Sequence, residues 1–229
     1  MDASLHSFRD PTFVLNPPAA SHEISVDGKK ATIRALPNTD WWRVPPPESI
    51  ESRAGAFFAR PFDATRNFSA SVCFRGAWGL QFDQGCLMLL AGNSDDVQGD
   101  WIKAGVEVET GREYIGAVVT SPWSDWAIAP AEHSTSTLGD SPYTLFMQIV
   151  REGPLLTVNQ YFAPHGTARS PPPTEDLVKI REVRGFNVDE QGNAQAKAGD
   201  QWRIGVMVCG PKNPDGLVAE FENFSFAYI

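Results

Sequence analysis

Between Ile102 and Val108 every second residue is aliphatic: Ile102, Ala104, Val106 and Val108, with Lys103, Gly105 and Glu107 between them. A period of two puts the aliphatic side chains on one side of an extended chain and the others opposite. The stretch therefore reads as a strand half-buried in an antiparallel sheet. Thr110-Gly111 follows as a two-residue turn, and Arg112 to Thr120 supplies the returning strand. The aliphatic face of such a hairpin has to be covered by a second layer.

The rest of the chain repeats this grammar. Short alternating runs are separated by Gly, Pro, Asn and Asp, and few segments carry a helical period. Phe68 to Arg75 sets Phe68, Ala70, Val72 and Phe74 against Ser69, Ser71, Cys73 and Arg75, while Gln81 to Leu90 approaches the fully apolar run of a central strand. Tyr143 to Arg151 and Leu155 to Phe162 form a hairpin about Glu152-Gly153-Pro154. Thr12 to Leu15, Glu23 to Val26, Ala31 to Ala35, Ala56 to Arg60, Leu177 to Phe186, Trp202 to Val208 and Leu217 to Tyr228 read as further strands. About a dozen strands suffice for two stacked sheets, so the expected class is all-β, an antiparallel two-sheet β-sandwich of the jelly-roll type. Residues 1–229 read as one domain, with polar loop insertions near 163–176 and 189–200.

Charge and cysteine content narrow the function classes. Nineteen Lys and Arg against 28 Asp and Glu give a net charge of -9. No basic stripe suited to phosphates is present, so nucleic acid and anionic membrane surfaces are not expected partners. The start, MDASLHSFRD, lacks the charged-then-apolar layout of a secretory signal, and no apolar run reaches spanning length. Cys73, Cys86 and Cys209 are an odd number and read as reduced thiols, which places the expected protein in the cytosol. The sequons at Asn67 and Asn223 point the other way but fall within strand patterns. His6, His22, His133 and His165 have no zinc spacing, and glycine-rich phosphate loops and nucleophile elbows are missing, so no cofactor or metal is expected. Asp95, Asp96 and Asp100 fail the calcium-loop pattern and read as an acidic turn.

Five segments occur in a telling order: Thr39-Asp40-Trp41-Trp42, Phe82 to Met88, Trp101 to Glu107, Thr120 to Trp126 and Gly205 to Pro211. Together they resemble the regulation-of-enolase-protein-like family of unknown-function domains. That family is related to concanavalin A-like jelly-roll domains found at the end of some β-xylosidases. The resemblance runs from about Asn16 to the C-terminus. It implies a jelly roll, carbohydrate-associated relatives and, through a yeast regulator, a link to sugar metabolism.

The side of the hairpin strand opposite its aliphatic face carries Trp101, Lys103, Gly105 and Glu107. An outward face with an indole, a cation, an open glycine position and a carboxylate reads as the floor of a groove on the concave sheet. Lys103 and Glu107 stand about 13 Å apart along the strand, so cross-strand residues have to complete the site. Arg75, Gln81, Gln148 and Arg151 are candidates by parity. The expected acid–base residues are Lys103, Glu107 and Asp83. The expected ligand contacts are Trp101, Trp123, Asp125, Gln84, Arg151 and Trp42, although Trp42 also reads as packing. Each has a plainer reading: a solvated sheet face for the charges, core packing for the indoles, turn formation for Asp83 and Asp125. Glu107-Val108-Glu109 resembles the acidic motif of jelly-roll glucanases but lacks its middle aspartate.

Two functions fit this reading. One is a binding module for a carbohydrate or related metabolite. The other is a cofactor-independent isomerase, lyase or cyclase of a specialised pathway, with the two long loops as a lid. A small molecule is the expected partner under both, and a homodimer is left open.

Overall fold

A computed structural model describes residues 6–92, 99–131, 139–140, 143–164, 172–189, 191, 195–196 and 200–229. The strands in chain order are β1 (Val14–Asn16), β2 (Ser21–Ile24), β3 (Lys30–Arg34), β4 (Trp41–Arg43), β5 (Glu51–Arg53), β6 (Ala56–Asp63), β7 (Phe68–Trp78), β8 (Gln84–Leu90) and β9 (Trp101–Glu109). They continue as β10 (Arg112–Thr120), β11 (Ser124–Pro130), β12 (Gly139–Asp140), β13 (Tyr143–Glu152), β14 (Leu155–Pro164), β15 (Val178–Arg184), β16 (Gln201–Cys209) and β17 (Val218–Tyr228). A single 3₁₀ turn at Thr174–Asp176 is the helical element among the described residues.

Two antiparallel sheets stack as a sandwich, as expected. One runs β1-β6-β16-β8-β9-β10-β11 and the other β15-β14-β13-β7-β17-β3-β2, with β12 beside β7. Ile102, Ala104, Val106 and Val108 enter the core between the sheets with Leu87 and Leu89 of β8, Ile204 and Val206 of β16, and Phe74, Met147 and Phe221 from the facing sheet. The period-two reading of β9 is therefore right about which side is the core. The β9–β10 turn is also as read: Thr110 and Gly111 adopt φ of 49° and 74°, the mirror-image turn that matches strand twist, with Glu109 opposite Arg112.

Three elements differ from expectation. The segment after Thr120 is a loop only through Trp123; Ser124 opens β11, an edge strand that pairs with β10 along its length. The Pro45 to Pro47 loop is the tip of a two-stranded hairpin, β4–β5, which is paired into neither sheet. Within the polar insertions at 163–176 and 189–200, positions 165–171, 190, 192–194 and 197–199 lie outside the described residues, as do Asp95, Asp96, His133 and His165.

The outer face of the seven-stranded sheet is not bare. Phe57, Ala59, Cys86, Met88, Leu90, Trp101, Met207 and Cys209 form a second apolar cluster there, closed over by Trp41 of the β4–β5 hairpin. Trp41 meets Trp101 edge-on at 5.4 Å, and the guanidiniums of Arg43 and Arg53 lie 4.7 and 4.9 Å from the Trp101 ring centre. Those contacts stack cations on the indole and seal it from water. Four of the seven strands, β6, β16, β8 and β9, are thus covered on both sides for part of their length. That is why β8 reads as continuously apolar.

Candidate functional site

β9 carries Lys103, Gly105 and Glu107 onto this outer face, and its neighbours set what meets them. Register places Gln84 of β8 opposite Glu107, Cys86 opposite Gly105, and Val118 of β10 opposite Lys103. One further strand out, Trp126 of β11 sits opposite Val118. On the other flank Cys209 of β16 pairs with Gln84. All these side chains share one face because paired positions in a sheet point the same way.

The polar groups form one connected chain. Lys103 Nζ donates to Gln84 Oε1 at 2.8 Å, and Gln84 Nε2 donates to Glu107 Oε1 at 2.8 Å. The partners fix the amide orientation, since an ammonium can only donate and an ionised carboxylate can only accept. Trp126 Nε1 donates to the other carboxylate oxygen, Glu107 Oε2, at 2.9 Å. At the opposite end Lys103 Nζ lies 3.4 Å from Asp40 Oδ1, which also accepts from the backbone N–H of Trp41 at 2.7 Å. Cys209 Sγ is 3.6 Å from Gln84 Oε1 and 3.8 Å from Asp40 Oδ1. Asp40 thus anchors the base of the hairpin to the sheet through Lys103.

Burial sets the electrostatics. Lys103 is only 3% exposed. Burial by itself lowers its pKa, but the Asp40 carboxylate foremost, with Glu107 in support, more than offsets this, and the ammonium is held on. Glu107 shifts to about 7: desolvation raises it, Lys103 pulls it down, Asp40 pushes it up again, and the Trp126 and Gln84 hydrogen bonds lower it. Two donors favour the ionised form, yet loss of water outweighs them. Near neutrality Glu107 therefore exchanges between a carboxylate that accepts and an acid that donates. Burial also drives the Cys86 thiol up to about 12 and Cys209 well above its usual value, so both are inert neutral thiols.

Gly105 and Gly116 form the floor between Lys103 and Glu107, under a cleft lined by Gln84, Cys86, Val106, Ala117 and Val118 as well. Its cavity volume is about 10 Å³, room for roughly one water. The glycine at 105 has a different reason from the expected one. A Cβ there would lie 2.1 Å from the Gly85 carbonyl oxygen and 2.7 Å from Cys86 Cα, so the close approach of β8 is what excludes a side chain.

Of the residues expected to share the groove, the structure gathers Lys103, Glu107 and Gln84. The others lie elsewhere. Trp101 is buried beneath the β4–β5 hairpin rather than open to a ligand. Trp42, next to Trp41 on that hairpin, is half-buried and does not line the cleft. Asp83 falls on the opposite parity from Gln84 and caps a turn, accepting from the Gly79 and Leu80 N–H groups at 3.0 and 2.9 Å. Arg151 belongs to the other sheet, where its guanidinium lies 4.8 Å from the Trp202 ring centre. Arg75 and Gln148 are in that sheet too, bonded to Glu220 and to Ser69. Gln81 is spent on Glu109, which removes the second acid of the Glu-Val-Glu run from the cleft. Asp125 pairs with Arg181 at 2.8 Å and Trp123 lies beside it, both on the far side of β11 from Trp126. The start of β11 explains this last correction: once the chain is a strand from Ser124, Asp125 and Trp126 must face opposite ways.

Two participants were missed. Trp126 enters the sequence reading only as the end of the Thr120 to Trp126 segment, and Asp40 only within Thr39-Asp40-Trp41-Trp42. Its position before a Trp pair that returns over the sheet was the available signal. Among the described residues no group of three or more His, Cys, Asp or Glu could hold a metal.

Two stacked antiparallel sheets of seven and eight strands make this a jelly roll of the concanavalin A-like class, and comparison with known proteins agrees. Residues 14–228 match the family model described as "Protein of unknown function (DUF1349)", and the chain belongs to that family. An uncharacterised protein of Emericella nidulans is 30% identical over 141 residues, 58% of this chain and 68% of that protein. Regulation of enolase protein 1 of Saccharomyces cerevisiae is 25% identical over 199 residues, 86% of this chain and 80% of that one. A functionally unknown protein from Saccharomyces cerevisiae superposes with a TM-score of 0.67 at 20% identity, covering 95% and 97% of the two chains. A GH43 protein, BlXynB, from Bacillus licheniformis gives 0.60 at 16% identity over 95% of this chain and 36% of that one. A lectin, UEA-II, solved with galactose, gives 0.52 at 12% identity over 97% and 96%. These likenesses establish the fold.

Proposed function

We propose that the outer face of the seven-stranded sheet binds a neutral, hydroxylated small molecule of the carbohydrate type, at the Glu107–Trp126 end of the polar chain. The observation that carries this reading is the hold on Glu107. Gln84 and Trp126 each occupy one lone pair of its carboxyl group, and its remaining hydrogen-bonding capacity borders a cavity of about one water. A single ligand hydroxyl is the size of that space and meets the remaining lone pairs of the carboxyl group there. Trp126 is 37% exposed beside it and offers a flat apolar face for the ring that bears the hydroxyl. Lys103 supports the site from behind: it is too buried to reach a ligand, and it orients Gln84. The occurrence of a galactose-bound lectin among proteins of this fold is consistent with the reading. Three buried, unbridged cysteines suit a cytosolic setting, which we include in the proposal.

A specific observation favours a second reading, cofactor-independent acid–base chemistry. A carboxyl group poised near pH 7 and linked to a buried ammonium is an arrangement suited to proton transfer. The two readings part on where the ligand sits relative to time: a binding site returns its ligand unchanged.

Titration of the 15N-tryptophan-labelled protein with the methyl glycosides of glucose, galactose, mannose and xylose tests the binding reading. Saturable shifts of the Trp126 indole N–H, lost in Glu107→Ala, are expected. No shift up to about 100 mM of each glycoside rejects carbohydrate binding here. Conversion of a glycoside during the titration would move the assignment to the enzyme.

A further inference from the structure

A second cavity lies on the other side of β11, where the two sheets meet at their edges. Val119, Ser121, Trp123 and Asp125 approach from the seven-stranded sheet and the 120s loop, and residues Arg181 to Phe186 from β15 and its end. At about 250 Å³ it is far larger than the cleft at Glu107 and falls just under the roughly 300 Å³ at which drug-sized pockets begin. A cavity of that size takes one small ring.

Its lining has a consistent chemistry. Val119, Val183 and Phe186 are each at most 8% exposed and supply an apolar floor. Trp123 is 45% exposed, the most open of the large aromatic side chains among the described residues, and stands at the cavity wall without a role in either core cluster. The rim is charged but balanced. Arg181 is paired with Asp125 at 2.8 Å, and Glu182 takes both Arg184 and Lys179 at 3.0 Å. The two guanidiniums and two carboxylates of the lining cancel in sum. With both cations of the lining already paired to carboxylates, an anion gains little charge attraction here, whereas a neutral ligand loses nothing by that pairing. Asp125 is 68% exposed on its side chain and Arg181 21%, so both present hydrogen-bonding capacity to the cavity beyond their mutual contact. An acceptor beside a multiple donor, next to a flat indole, matches a molecule whose hydroxyls both donate and accept and whose C–H face is apolar.

We infer that this edge cavity is a separate binding site for a neutral saccharide, with Trp123 as the stacking platform and Asp125 and Arg181 as the hydroxyl partners. It is independent of the cleft at Glu107, because alternation along β11 sends Asp125 and Trp126 to opposite sides of the strand. Two sites on the two sides of one edge strand would let a single glycan chain pass around that edge.

The Trp123 indole N–H reports on the site directly. In a titration with the same four neutral methyl glycosides to about 100 mM, at least one is expected to shift it saturably. Trp126→Ala, which alters the other face only, should leave that response in place. Asp125→Asn keeps the side-chain size and should weaken binding about tenfold, as should Arg181→Ala, with the folded spectrum otherwise retained. Silence of Trp123 toward all four glycosides overturns the site, whatever Trp126 does. A response to sodium glucuronate or phosphate alone overturns the neutral chemistry. An unchanged affinity in both Asp125→Asn and Arg181→Ala overturns the assigned contacts.

Discussion

Lys103 and Glu107 never touch, yet Gln84 joins them, accepting from the ammonium and donating to the carboxylate at 2.8 Å each. The bridge exists because β8 pairs with β9 so that Gln84 stands opposite Glu107 and its amide reaches back along the face. It converts two residues about four positions apart into one electrostatic unit, with Asp40 at one end and Trp126 at the other.

Lys103 is therefore a buried structural cation. Lys103→Met would leave the partly buried Asp40 carboxylate without its cation and Gln84 Oε1 with only the weak Cys209 thiol as donor. Unsatisfied buried groups of this kind cost about 2 kcal/mol or more. Urea unfolding at pH 7 should show a loss of that size. A change within about 0.5 kcal/mol, the usual result at an exposed position, would show that the ammonium is solvated after all.

Glu107 links stability to pH in a definite sense. Its folded pKa, about 7, lies above the reference value of 4.5, so the folded state favours the protonated form. The associated stability is fully present below pH 4.5 and is lost as pH rises through 7. Glu107→Gln removes the titration, so its stability relative to the parent should improve between pH 5 and pH 8 by up to about 3 kcal/mol. Denaturation at those two pH values measures the difference. A parent that gains on Glu107→Gln as pH rises would reverse the sign of the shift. Carbon-13 detection of the Glu107 carboxyl gives the midpoint directly.

Gly105→Ala separates two reasons for the glycine. If the position is open for a ligand, an alanine costs binding and leaves stability alone. With the Gly85 carbonyl oxygen 2.1 Å from the added Cβ, backbone has to move instead. A loss of stability of about 2 kcal/mol is expected, in the range of overpacked core sites. A melting temperature equal to that of the parent would restore the open-floor reading.

How much of this was legible can be argued from β9 itself. The run Ile102, Ala104, Val106, Val108 identified the core face, and the Thr110-Gly111 pair identified the turn, because both are local properties of an extended chain. The same parity put Lys103, Gly105 and Glu107 together on the opposite face. It could not say what covers that face, since the cover comes from residues some sixty positions earlier, in a hairpin whose strands are three residues each. The continuous apolar run of β8 already required burial on both sides, and it was the one sequence signal that Trp101 would be closed over.

The sequence by itself thus determined the two-sheet antiparallel class, the core faces of β7 and β9 and the residues sharing the outer face of β9. Alternation and turn chemistry act over a few residues and need no partner to be read. Only the tertiary structure decided that Gln84 bridges Lys103 to Glu107, that Asp40 and Trp126 close the chain, and that Trp123 and Asp125 belong to a different cavity. Those outcomes depend on strand order, on register between distant segments and on where β11 begins. A one-residue change in any of them would send a side chain to the other face of the sheet.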